Sequence, residues 1–196
     1  MKKKSWITRN IFGDVQKKFS LPIQNLSQNR PIKEHFLCDK FEACDAFVRS
    51  FHTLNRGKPF LKEAIDLALY VFESEENYLN VAELNQKATI TICEIFGMKV
   101  KFKLQSEIPN LIGEKENLLI NICERLDSKH YLNLENGETI YKKDYFLESG
   151  VFLHFMNNDS MRQTLDQEFN VSILSMYARY GINRIVDILN RNSHFD

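Results

Sequence analysis

No charge of either sign dominates this sequence. Its 26 Lys and Arg are cancelled by 26 Asp and Glu, so no global field exists to hold a polyanion or an acidic membrane, which argues against a dedicated nucleic-acid binder. Long apolar runs are missing as well, and no segment approaches the length needed to span a bilayer. Cysteine is scarce: Cys38, Cys44, Cys93 and Cys123 include no C-x-x-C pair. Their spacing supports neither a disulfide framework nor a metal site, and a buried free thiol is the simplest reading of the three that fall on apolar helical faces. No G-x-S-x-G, P-loop or G-x-G-x-x-G motif occurs, so the best-known nucleophile and dinucleotide signatures are excluded, and no cofactor is expected. Met1-Lys2-Lys3-Lys4 opens like a signal peptide, but Ser5-Trp6-Ile7-Thr8-Arg9-Asn10 follows where an apolar core would be required. The expected location is the cytoplasm.

What is present is ordinary for a folded chain. A length of 196 residues with 43% hydrophobic and 27% charged residues suffices for one domain with a real core and leaves little room for two, so residues 1–196 are expected to form a single domain. Trp6 to Gln24 reads as a hairpin, with Ile7, Ile11 and Phe12 before the turn pair Gly13-Asp14 and Val15, Phe19, Leu21 and Ile23 after it. Residues 25–31 read as a loop and residues 32–36 as a short extended piece.

Three helices are expected next. Asp39 with Glu42 forms a capping-box pattern before Phe41, Cys44, Phe47, Val48, Phe51 and Leu54, and Gly57 ends the run. Pro59 suits the first turn of a second helix carrying Phe60, Ala64, Ile65, Ala68, Leu69 and Phe72. Asn80 with Glu83 caps a third, which Gly97 stops. The period then changes: Met98, Val100, Phe102 and Leu104 alternate with Lys99, Lys101 and Lys103, as in a half-buried strand with a solvated or protected lysine face. A helix over 114–126, a strand over 130–134, a turn at Asn136-Gly137, a helix over 143–148 and a strand over 151–155 follow. Two short helices, 172–180 and 183–192, are separated by Gly181. The expected fold is therefore α/β, with a parallel βαβαβ core in the second half, an N-terminal hairpin and a helical middle segment.

Open parallel sheets collect ligands beyond the carboxyl ends of their strands. Here those ends are Gln105-Ser106-Glu107, Asn133 through Gly137, and Met156-Asn157, with Tyr141 placed to fold back over the second. Residues 133–141 offer amide, hydroxyl and backbone N–H groups beside a glycine that a ligand can approach, although an ordinary strand-to-helix turn explains the same residues. Glu107 is one candidate general base. His130 and His154, in or beside predicted strands, are others, and a satisfied structural histidine is the plainer explanation of each. Arg9 and Asn10 could grip a phosphate or a carbonyl oxygen. Lys2, Lys3 and Lys4 with Trp6 and Arg9 form a basic, aromatic mixture that nucleic acid could use, and that a solvated terminus explains equally well.

Several segments in order resemble the WbqC-like family of bacterial polysaccharide gene clusters. Ser5 to Asn10, with Leu21-Pro22-Ile23 closing the hairpin, is similar to its tryptophan-and-arginine signature. Asn85–Gly97 resembles its middle helix and Glu116–Cys123 its second-half helix. His130-Tyr131-Leu132-Asn133 with Gly137 and Tyr141 resembles its strand and turn, and Phe169–Ile188 its carboxyl-terminal leucine-serine-isoleucine block. The resemblance implies a cytoplasmic transferase of O-antigen or capsule assembly. Its substrates would be a nucleotide-linked amino sugar and an activated acyl donor, as in glycine transferases. It points to Trp6, Arg9, Asn10, Asn133, Gly137 and Tyr141 as site residues, followed by Gln163 and Ser172. In the transfer reaction Arg9 and Asn10 would be oxyanion donors, Tyr141 and Asn133 would hold the sugar, and Glu107 or His130 would be the base. Two departures oppose this reading. The family's opening strand–helix–strand region is missing from the match, and Ser175 stands where an aspartate is expected. A catalytically inactive binding or scaffold protein of the same pathway is the alternative.

Overall fold

A computed structural model describes residues 10–12, 17–27, 29–73, 79–156 and 172–192. In chain order its elements are β1 (Asn10–Phe12), β2 (Lys17–Phe19), α1 (Lys40–Leu54), α2 (Leu61–Phe72), α3 (Val81–Ile95), α4 (Glu116–Arg125), β3 (His130–Leu134), α5 (Lys143–Glu148), β4 (Phe152–Met156) and α6 (Ile173–Asn192). The chain divides into two compact units, Met1–Val100 with Leu165–Arg191 and Lys101–Thr164 with Asn192–Asp196.

In the first unit β1 and β2 form the expected antiparallel hairpin, with Asn10 opposite Phe19 and Phe12 opposite Lys17; the Gly13-Asp14 turn lies outside the described residues. Residues Ile32–Glu34 are a 3-10 turn rather than an extended piece. Pro31, with φ fixed near its preferred value, starts that turn, and the chain extends only afterwards, where Phe36 bridges to Asn80 and Leu37 to Ile23. His35, fully buried, is tied at both ring nitrogens: Nδ1 lies 3.0 Å from the Pro31 carbonyl oxygen and Nε2 accepts from the Ser27 N–H at 3.2 Å. It is a structural histidine.

Local chemistry sets the starts of α1 and α3 as expected, whereas α2 begins at Leu61, so Pro59 lies in the turn before it rather than in its first turn. The Asp39 carboxylate accepts from the Glu42 N–H at 2.8 Å at the start of α1, and Asn80 Oδ1 accepts from Ala82 and Glu83 at the start of α3. Helix α6 contains the expected break, Gly181 holding φ 72° and ψ 169°. The core gathers Phe47, Phe51, Ala64, Ala68, Phe72 and Leu84 with Tyr177, Ala178 and Ile185 of α6. Phe47 sits at its centre, its ring 5.5 Å from Phe19, 5.9 Å from Phe51 and 5.5 Å from Phe72. The buried stripe of α1 runs through Lys40, Ala43, Phe47 and Phe51. Phe41, expected on that stripe, lies one position off it and is 68% exposed.

The second unit carries β3 and β4, joined through α5 and paired in parallel, with His130 opposite Phe152 and Leu134 opposite Met156. One face packs on a small core of Ile120, Cys123, Phe146, Val151 and Leu153. The expected third strand is overturned: residues 98–104 form no strand, and Met98, Val100, Phe102 and Leu104 are all exposed, between 37% and 49%. Two-residue periodicity makes a strand only where a partner ladder and a surface to cover exist, and among the described residues this segment has neither. The fold is thus mixed helix and strand with a two-stranded parallel sheet, a βαβ unit in place of βαβαβ.

Candidate functional site

Alternation along β3 and β4 separates the sequence-predicted residues onto two faces. His130, Leu132 and Leu134 lie on the open face with Phe152, His154 and Met156; Tyr131, Asn133, Leu153 and Phe155 turn to the packed side. His130 is at the amino end of β3, about 10 Å along the strand from Asn133 at ~3.3 Å per residue. The sheet therefore brings Asn133, Gly137 and Tyr141 together at its carboxyl rim and leaves His130 apart from them.

At the rim the polar groups are largely engaged with one another. Asn133 Oδ1 accepts from the Leu134 N–H at 2.7 Å, and the Gly137 carbonyl oxygen accepts from the Ile140 and Tyr141 N–H groups, each at 2.9 Å. Gly137 is buried in the 3-10 turn Glu135–Thr139 that leaves β3. A Cβ there would lie 3.0 Å from Asn133 Nδ2 and 3.1 Å from Phe155 Cε1, so the glycine admits close packing between those side chains. Lys143 Nζ stands 5.6 Å above the Phe155 ring. Behind the sheet, Tyr131 stacks on Phe146 at 5.9 Å and Tyr141 meets the same ring edge-on at 6.2 Å. Burial, with the neighbouring Tyr141 phenol and Cys123 thiol, pushes the Tyr131 phenol above its ordinary range.

Glu107, placed by the sequence at a strand end, instead closes a 3-10 turn, where its Oε2 accepts from the Leu104 N–H at 3.3 Å. Ser172 is buried at the start of α6, its Oγ accepting from the Ser175 N–H at 3.2 Å and lying 3.3 Å from Ser175 Oγ. These contacts make it the cap of that helix. Ser175 is itself 4% exposed, so an aspartate at this position would carry a buried charge. Asn10 opens β1. Trp6, Arg9 and Gln163 lie outside the described residues.

The open face supplies a contact that local sequence reading does not reveal. His130 Nδ1 lies 2.9 Å from His154 Nε2, with ring centroids 5.2 Å apart, and His130 also stacks on Phe152 at 5.4 Å. The two histidines are 24 residues apart in sequence and meet because Leu132 is opposite His154, a diagonal step from His130 on the same face. Their shared parity within two predicted parallel strands was the available signal. In the neutral pair one imidazole donates and the other accepts, leaving a lone pair on either His130 Nε2 or His154 Nδ1. Such an oriented imidazole can take a proton from a bound amine or hydroxyl.

Among the described residues, no helix is long and apolar enough to cross a membrane. Comparison with curated proteins and with solved structures finds no match. A family model, however, matches residues 1–186, through the hairpin, the helical segment, the β3–β4 unit and most of α6. The chain therefore belongs to the WbqC-like protein family, which connects it with bacterial polysaccharide gene clusters.

Proposed function

We propose that this chain is a transferase of cell-surface polysaccharide biosynthesis that places a glycyl or other acyl group on the amine of a nucleotide-linked amino sugar. The observation that supports it is the His130–His154 pair on the open face of the sheet, in a chain of this family. In the reaction the sugar amine attacks the carbonyl carbon of an activated acyl donor. A C–N bond forms, the bond to the activating group breaks, and that group leaves with the electron pair. The amine proton passes to the unprotonated ring nitrogen of the pair, and the second imidazole holds the first in orientation. Asn133, about 10 Å along β3 from His130 and on the other side of the sheet, and Tyr141, which packs behind it on Phe146, stand apart from this proton transfer. The reaction runs in the cytoplasm, where nucleotide sugars are made, and needs neither membrane nor nucleic acid.

The test is incubation with a panel of nucleotide-linked amino sugars and activated acyl donors, read as the mass gained by the sugar. Product is expected, with a loss of roughly 10²–10⁴-fold in His130→Ala, the usual contribution of a general base. Full turnover in His130→Ala removes the pair from the chemistry.

A second reading, an inactive ligand-binding or scaffold protein of the same pathway, draws on different observations. Ser175 replaces the aspartate implied by the family resemblance, and Asn133, Gly137, Glu107 and Ser172 are engaged in internal contacts. A thermal shift with nucleotide sugars and no acylated product across the panel is the outcome that selects it.

A further inference from the structure

We infer that His130 and His154 form a two-imidazole chelating site for a late first-row divalent metal ion, with nickel, copper and zinc as the chemical class. The inference does not rest on the transfer reading. Two ring nitrogens, His130 Nδ1 and His154 Nε2, face each other at 2.9 Å. At metal–nitrogen bonds of about 2.05 Å, ligands at 90° to one another sit about 2.9 Å apart, and tetrahedral ligands about 3.4 Å apart. The observed spacing is therefore that of neighbouring positions in octahedral or square-planar coordination, and tetrahedral zinc requires the rings to part by about half an ångström. Chelation through both facing nitrogens requires the donating ring to move its proton to its opposite nitrogen, and rotation of the two rings then turns both lone pairs from the line between them toward one ion.

Three features of the surroundings favour chelation over an incidental contact. Both side chains project from a paired parallel ladder, which fixes the spacing of their Cα atoms. The His130 ring is held between Phe152 at 5.4 Å and His154 at 5.2 Å, so less rotamer freedom is lost when an ion binds. The face is open to solvent at His130 and partly open at His154, so an ion can enter and water can complete its shell. Among the described residues no group of three or more His, Cys, Asp and Glu is placed to hold a metal. The site therefore offers two protein ligands and leaves the remaining positions to water or to donor atoms of a ligand. Imidazole in this geometry selects along the series in which nickel and copper exceed manganese and iron.

The experiment is calorimetric titration of the full chain with Ni2+ alone, at neutral pH and in non-chelating buffer. One ion per chain is expected, with the dissociation constant weakened roughly tenfold or more in both His130→Ala and His154→Ala, since losing a direct ligand costs at least what loss of a supporting contact does. His52→Ala, an exposed histidine on α1, should leave binding unchanged. No saturable binding to the wild-type chain, or equal binding in either β-strand variant, overturns the proposal. Far-UV circular dichroism checks the fold of the variants. A second readout needs no substitution: added Zn2+ should shift the imidazole resonances of two histidines and leave the others in place, and uniform or absent shifts count against the site. A chain that binds nickel through this pair and transfers no acyl group defeats the transferase reading alone. Transfer that depends on His130 without any metal binding defeats this one alone.

Discussion

Asn80 ties the start of α3 to the Ile32–Glu34 turn through one side chain, which makes its removal a sharp test of how the first unit is held. Its Oδ1 caps α3 by accepting from Ala82 at 2.9 Å and Glu83 at 3.4 Å, its Nδ2 donates to the Lys33 carbonyl oxygen at 2.6 Å, and the residue is 7% exposed. Asn80→Ala deletes the cap, worth about 1 kcal/mol, and a largely buried hydrogen bond worth about 1 kcal/mol, more if the Lys33 carbonyl is left without a partner. The expected loss is ~2–3 kcal/mol. At ~2–4 °C per kcal/mol for a chain of this size, Tm falls by ~4–12 °C. Asn80→Ser separates the two contributions. Serine keeps a capping oxygen of equal quality and is too short to reach Lys33, so it should lose only ~1 kcal/mol. Urea unfolding followed by far-UV circular dichroism gives the order wild type, Ser, Ala. An Ala variant within ~0.5 kcal/mol of wild type, or a Ser variant as unstable as Ala, refutes the assignment of both bonds.

Four further outcomes follow from the same geometry. Gly137→Ala should cost about 1–3 kcal/mol by overpacking against Asn133 and Phe155, and an unchanged urea midpoint would show that the rim yields freely. Gly181→Ala should cost ~1–3 kcal/mol through its positive φ alone. Because the new Cβ would also lie 2.8 Å from the Phe60 ring, part of the loss, but not all, should vanish in a Phe60→Ala background, as a double-mutant cycle measures. Cys38 is exposed, whereas burial and the nearby carboxylates of Asp45 and Glu124 hold the Cys44 and Cys123 thiols above their ordinary range; a disulfide reagent at neutral pH should therefore modify Cys38 first and Cys123 only on unfolding. Those two thiols and the Tyr131 and Tyr177 phenols are all raised in the folded chain, chiefly by burial. Their protonated forms favour folding, so this stability is complete below the unfolded values and is lost as pH rises past the ordinary thiol value of 9.0 and phenol value of 10.0. A urea midpoint that climbs through that range would contradict the sign.

Helix starts and stops were legible in the sequence because their causes are local. Asp39 with Glu42 and Asn80 with Glu83 act within three residues, and the helix breaks at Gly97 and Gly181 follow from backbone conformations that favour glycine. The strand at 98–104 was misread because alternation records only what a segment can cover. It does not record whether a neighbouring ladder is present, and Val100 and Phe102 remain exposed. The helices α4 and α5 and the strands β3 and β4 were placed within one or two residues, and with them the parallel pairing. The division of site candidates between the two faces needed parity and register together. Asn133 and His130 are close in sequence and opposed in space, whereas His130 and His154 are distant in sequence and in contact. Glu107 lost its expected setting along with the strand that should have preceded it.

The second unit has a modest interior of its own, an apolar cluster of five buried residues that includes Leu153 of β4. Two strands alone are marginal in water, so β3 and β4 depend on that thin backing and should open at a lower free energy than the helices around Phe47. A molecule that settles on the sheet will therefore retard deuterium uptake by the amides of His130–Leu134 and Phe152–Met156 more than by those of the helices around Phe47. The sheet is thus a responsive reporter, and scanning compounds for that retardation identifies a guest without first knowing its reaction.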